Sequence, residues 1–190
     1  DEITIDALYE IVKAVNENGA EFIYSDEDKI ERGGSFSEPH FKADFAIDMF
    51  LSQNYISHIG AIKKSVFDLI GGWRDGFNGA QDYDLYLRVV EKTDKIFHIP
   101  KVLYHWRKVA GSTSMEFGEK SYANEAGRKA LAEHIKRVGK KGAVFVGKRV
   151  GTYRVRYEIE KYPLVSIIVP FKDKPELLQM CLDSILNKST

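Results

Sequence analysis

Cysteine is almost absent. Cys181 is the only one in 190 residues, which excludes an internal disulfide and a cysteine-built metal cluster and fits a reducing compartment. At an apolar helical position it reads as core rather than as a nucleophile. Excess charge is absent too. Lys+Arg and Asp+Glu balance at 28 each, so no global field favours nucleic acid or an anionic membrane. No apolar run reaches the roughly 18 residues that a bilayer-spanning helix needs. No Gly-rich P-loop occurs, which removes the main support for a Mg²⁺-dependent phosphotransferase. No signal peptide opens the chain, and because Asp1 is not a natural initiator, targeting sequence upstream of it stays unread. What is abundant is core material: 44% of residues are hydrophobic and 12% aromatic, enough for a packed domain.

The most unusual stretch is Tyr24-Ser25-Asp26-Glu27-Asp28-Lys29. Residues 20–24 read as a buried strand, and the acids after it as a turn. Three successive carboxylates repel one another unless solvent or a cation neutralises them. The carboxyl end of a strand in an open α/β sheet is also where ligands collect, so a hard divalent ion gripping phosphate would suit this place. A solvated acidic loop is the plainer alternative. Upstream, Ile5, Leu8, Ile11, Val12 and Val15 recur at helical spacing and Asn18-Gly19 supplies a stop. A helix running straight into a strand is half of a βαβ unit, so the expectation is a chain that begins mid-domain.

Further along, 31–42 reads as loop, 46–51 as a short helix, 54–62 as a strand, and 64–70 as a helix closed by Gly71-Gly72. Trp73 just after is either packing or a platform for a sugar face. Residues 80–91 read as a helix with Gln81-Asp82 in its first turn. A carboxylate there can serve the helix dipole or act as a general base on a rigid element. One of Asp82 and Asp84 suffices as a cap, which leaves the other to be explained. Two strands are expected around Pro100-Lys101, then Tyr104-His105-Trp106-Arg107 and a hydroxyl-rich Gly111-Ser112-Thr113-Ser114 loop suited to closing over a diphosphate. A long helix follows over 122–138, then alternating strand candidates at 143–146 and 152–157. Residues 164–170 read as a buried parallel strand, and Asp173-Lys174-Pro175-Glu176 as a helix start with Asp173 as N-cap.

These motifs resemble family 2 glycosyltransferases of the GT-A, nucleotide-diphospho-sugar transferase fold. Ser25-Asp26-Glu27-Asp28 is similar to the family's Asp-x-Asp motif. Gly71-Gly72-Trp73 with Gln81-Asp82-Tyr83-Asp84 is similar to its acceptor loop and Glu-Asp helix start, with Gln81 where Glu is usual. Tyr104-His105-Trp106-Arg107 through Ser112 resembles its closing segment. Residues 165–186 separately resemble the family's first strand and helix, with Phe171-Lys172-Asp173 in place of a more usual Thr-Tyr-Asn-like loop.

The resemblance implies an α/β protein carrying a partial GT-A fold, a mixed sheet flanked by helices. Residues 1–142 would be the catalytic and acceptor half of one domain, 143–163 short strands and linker, and 164–190 the opening strand and helix of a second. It implies a nucleotide diphospho-sugar donor, a saccharide acceptor and Mg²⁺ or Mn²⁺ held by Asp28, Asp26 and His105. Arg107 and Ser112 would hold the diphosphate, Asp82 would be the base of an inverting reaction, and Gly72, Trp73, Gln81 and Tyr83 would face the acceptor. It also implies polysaccharide synthesis in the cytoplasm or at the inner membrane face, nucleic acid playing no part, with the chain alone inactive. Because the family's first strand lies beside the strand leading to Asp-x-Asp, residues 22–24 are expected to have an open edge. Residues 165–169 would fill it, within one chain or by strand exchange between two copies. A non-catalytic carbohydrate- or partner-binding module is the alternative.

Overall fold

A computed structural model describes residues 1–108 and 121–188, which fall into two units, Asp1–Glu158 and Ile159–Thr190. The first is a mixed α/β unit built on a five-stranded sheet. Its centre is β2 (Phe22–Ile30), paired in parallel with β5 (Ile96–Arg107). On the far side of β5 lies the short antiparallel β1 (Glu2–Ile3). On the far side of β2 lie β3 (Phe36–His40) and β4 (Gly60–Ile62), both antiparallel.

Strand alternation sends Ile23 to one face of the sheet, with Ile99 and Leu103, and Phe22 and Tyr24 to the other. Helix α1 (Ala7–Asn18) covers the first face, placing Ala7 and Ala14 against the sheet. Leu8, Val12 and Val15, expected to face inward, are exposed. The two alanines bring the helix backbone close to the sheet, and the larger residues of the periodic set stand aside. Gly19 ends α1 at φ 62° and its N–H reaches the Val15 carbonyl, the left-handed cap expected of Asn-Gly.

The opposite face carries the larger core, under α2 (Ile47–Ser52), α4 (Gln81–Val90), α5 (Ser121–Arg137) and a hairpin of β6 (Gly142–Val146) and β7 (Tyr153–Tyr157). Helix α3 (Lys64–Leu69) leads into the turn at Gly71 and Gly72, φ 77° and 67°. The hairpin belongs to this unit, since Val144 and Tyr153 are core residues. Gly127 of α5 has no room for a side chain: a Cβ there would stand 2.0 Å from the Tyr153 hydroxyl. Gly127→Ala is therefore expected to push the hairpin off α5 and cost about 1–3 kcal/mol, measurable by urea unfolding. An unchanged midpoint would show that the Tyr153 ring swings away freely.

Several expected elements differ. The acids at 26–28 are strand, not turn, because β2 continues to Ile30 between two neighbours. Residues 36–40 are strand β3 rather than loop. The expected pair of strands around Pro100-Lys101 is one strand: Ser25 pairs with Ile99 and Asp26 with Val102, so Pro100 and Lys101 bulge out of a continuous ladder. Only Gly60–Ile62 of the strand expected over 54–62 pairs with β2, while Tyr55 and Ile56 are buried in the core without strand geometry.

The open edge predicted for residues 22–24 does not exist. Phe22 pairs with Ile62 on one side and Ile96 on the other, so nothing is left for residues 165–169 to fill. In the second unit, residues 164–170 are not in a strand. Helix α6 (Pro175–Lys188) begins with Pro175 in the first helical position, which puts Asp173, at φ 51°, ahead of the N-cap position.

Candidate functional site

The register shifts in β5 decide where the acids of β2 point. Pro100 and Lys101 are skipped in the pairing, then Leu103, so that Asp26 meets Val102 and Glu27 meets Tyr104. Asp26 and Glu27 consequently both serve the α4 side, while Asp28 faces the α1 side. Asp26 Oδ1 accepts hydrogen bonds from the Lys42 backbone N–H (2.8 Å) and pairs with His98 Nε2 (2.9 Å). His98 stacks on Tyr24 at 4.9 Å. Glu27 accepts from the His58 backbone N–H at 3.0 Å and lies 3.5 Å from His40 Nδ1 and 3.6 Å from Lys42 Nζ. Burial works to raise its carboxyl, but His40, Lys42 and His58 outweigh that and hold it below the usual range. Burial pushes the Lys42 ammonium down to about 8. Its Nζ donates to the Ile56 and His58 carbonyls, fixing the segment that carries Asn54.

Asp28 pairs with His105 Nδ1 at 2.5 Å, and Phe36 stacks on the imidazole at 4.1 Å. Among the described residues no group of three or more His, Cys, Asp or Glu is assembled to hold a metal. A carboxylate and an imidazole within one another's reach are nevertheless a fair partial set for a divalent ion that keeps water and takes substrate phosphate oxygens. Asp26 is not part of that set, being engaged with His98 on the other face. Arg107 Nη2 pairs with Glu2, and its backbone N–H with Asp1 Oδ1 at 2.9 Å. Both pairs are surface contacts that a diphosphate could displace at little cost. Ser112 lies outside the described residues.

Asp82 lies on the α4 side, in a cavity of about 480 Å³ that it shares with His40, Asn54, His58, Trp106 and Tyr153. Helix α4 begins at Gln81, so Asp82 is held by the first turn. Its Oδ1 accepts from the Tyr83 backbone N–H (2.8 Å) and its Oδ2 from Asn54 Nδ2 (2.9 Å). Burial outweighs these bonds and raises the carboxyl above its ordinary value. Gln81 lines the same cavity, its Oε1 accepting from the Gly79 N–H at 2.8 Å. Tyr83 contributes its ring, while its hydroxyl donates to the Phe50 carbonyl at 2.5 Å.

The acid left unexplained by capping, Asp84, binds Arg74 and Arg88 in the interior. Gly72 and Trp73 do not line the cavity. Two successive left-handed glycines turn the Trp73 ring to solvent, and Arg74 folds back to Asp84. The aromatic wall is Trp106 instead, edge-on to His58 at 5.3 Å.

The structure thus forms two groups, Asp28 with His105 and Asp82 with His58 and Trp106. Along β5, Tyr104 and Trp106 face His58 while His105 faces the other way. The sheet separates the groups, and both lie toward the carboxyl ends of β2 and β5. His40, Asn54, His58 and Tyr153 escaped the sequence reading because they lie in segments read as loop or strand, distant along the chain from either acidic motif.

No family model matches the chain. It is similar to "Uncharacterized protein y4gI" of Sinorhizobium fredii, 43% identical over 188 residues, 97% of this chain and 21% of that protein. It is also similar to "O-antigen biosynthesis protein RfbC" of Myxococcus xanthus, 40% identical over 164 residues, 86% of this chain and 13% of that protein. The chain therefore spans about a fifth of the first relative's length and about an eighth of the second's. No described helix is long and apolar enough to cross a membrane.

Proposed function

We propose that the intact protein transfers a sugar from a nucleotide diphospho-sugar to a hydroxyl of a saccharide acceptor, with inversion, in surface polysaccharide synthesis. The observation that carries this reading is Asp82: a half-buried carboxyl, raised by its partial burial and held at both oxygens, opening into a cavity lined by aromatic rings and amides. Aromatic faces with few polar groups are what a sugar ring needs. The name of the Myxococcus relative, an O-antigen biosynthesis protein, supports the polysaccharide setting.

Asp82 accepts the proton of the acceptor hydroxyl as that oxygen attacks the anomeric carbon. Asn54 and the Tyr83 N–H keep its carboxylate aimed into the cavity. Asp28 and His105 would hold Mg²⁺ or Mn²⁺, which when bound neutralises charge on the departing nucleoside diphosphate. Arg107 gives up Glu2 to meet the same diphosphate.

The test is sugar transfer by the intact protein to an oligosaccharide, followed with labelled donor. EDTA is expected to abolish transfer and Mn²⁺ or Mg²⁺ to restore it. His105→Ala is expected to raise the metal concentration for half-maximal rate by at least the roughly 10–100-fold that loss of a metal's outer-shell partner costs. Full turnover in EDTA would remove the metal from the reaction.

A further inference from the structure

The hairpin of β6 and β7 has no part in the chemistry above, yet it forms one side of the Asp82 cavity through Val150, Gly151 and Tyr153. It is held there from several directions. The Gly151 N–H donates to Asn124 Oδ1 of α5 at 2.8 Å. Tyr153 stacks on Tyr83 of α4 at 5.8 Å and 24°, with its hydroxyl over Gly127. Thr152 bridges to Gln53. A hairpin fixed to three neighbours is a wall, and its side chains set the width of the space opposite Asp82.

The lining has a chemical character as well. Its polar side chains include the amides of Asn54, Gln81 and Asn124 and the imidazoles of His40 and His58, and Asp82 supplies the carboxylate. No Lys or Arg is among the described lining residues. Lys42 is close in space, but its side chain is fully buried and committed to Glu27 and two carbonyls. Lys148 and Arg149 stand in the hairpin turn without lining the cavity. Amides both donate and accept, as a sugar hydroxyl does, whereas an anionic ring would face the Asp82 carboxylate with no Lys or Arg among the described lining groups to offset it.

We propose that the hairpin is the selectivity wall of this site and that it admits an uncharged sugar ring in preference to a uronic acid. The proposal rests on reading the cavity as the acceptor side, and its test separates the two.

The full 190-residue chain is titrated with methyl β-glucopyranoside and with methyl β-glucuronide, following the two indole N–H signals by NMR. Trp73, outside the cavity, is the internal control for Trp106. The glucoside is expected to shift Trp106 and leave Trp73 in place, and the glucuronide to bind at least tenfold more weakly. Val150→Phe, at a part-exposed turn position that the core does not depend on, is expected to weaken the glucoside at least tenfold. Gln81→Lys is expected to narrow the gap between the two probes. If Val150→Phe leaves glucoside affinity unchanged while Trp106 still responds, the wall is elsewhere and only the hairpin assignment falls. Glucuronide binding as tight as glucoside overturns the preference for a neutral ring. If neither probe moves Trp106, the acceptor reading itself falls.

Discussion

Asp82→Asn in the intact protein is expected to lower turnover by about 10²–10⁴-fold, the range a general base contributes, with donor affinity nearly unchanged. Asn keeps the shape and its one carbonyl oxygen can still accept from the Tyr83 N–H, while the Asn54 amide must turn over to accept from the new Nδ2, so the loss is chiefly that of proton acceptance. The same substitution is expected to stabilise the fold at neutral pH. Burial raises the Asp82 carboxyl in the folded chain. Between the ordinary Asp value and that raised one, the folded state keeps a proton that the unfolded state has released, so stability falls as pH rises through this window. Above it the penalty persists in full, and Asn removes it. Urea melts at pH 7 and in acid should show the variant ahead at pH 7 and the difference closing toward acid. Wild-type activity should rise over the same window as Asp82 loses its proton. Retained turnover in the variant would end the assignment of Asp82 as base, whatever the melts show.

Asp84→Ala is expected to cost about 3–5 kcal/mol, the penalty for stranding a buried charge. Asp84 Oδ2 takes Arg88 Nε at 3.0 Å and Nη2 at 2.8 Å, and Oδ1 takes Arg74 Nη2. The Arg88 side chain is 6% exposed. Its remaining contact, Nη1 to the Ile70 carbonyl at 2.9 Å, carries no opposite charge. Arg74 is less vulnerable, being a third exposed and 2.9 Å from Glu133. Against a typical domain stability of about 5–15 kcal/mol, the loss would be visible as a sharply lower urea midpoint. Replacing both partners with apolar residues, Asp84→Leu with Arg88→Met, should recover most of it. A single-variant loss under about 1 kcal/mol would show that water reaches Arg88. The two acids of one helical turn are thus expected to behave oppositely, one conserving the fold and the other burdening it.

The sequence carried the helices well, because their signals are local: Gly19 ends α1, the double glycine ends α3, and the apolar face of α4 is read directly from Tyr83, Leu87 and Val90. It also singled out the residues at both groups, Asp28, His105 and Asp82. What it could not carry was anything set by partners far along the chain. Residues 26–28 look like a turn in isolation and become strand only because β3 and β5 lie on either side. Asp26 and Asp28 look like equivalent ligands until the skipped residues of β5 turn them to opposite faces. The open edge inferred for β2 failed for the same reason, since β4, only three residues long, gives little signal of its own. The place of Trp73 after two glycines suits either packing or a sugar platform, and the same glycines turn its ring to solvent, outside the cavity.

With neighbours along both of its long sides, β2 can be approached only at its tip. The sheet there acts as a partition, with the Asp28–His105 pair in one compartment and Asp82, beside the paired acids Asp26 and Glu27, in the other. Any one molecule that engages both must straddle the partition, so it must be long enough to bend over an edge one strand thick.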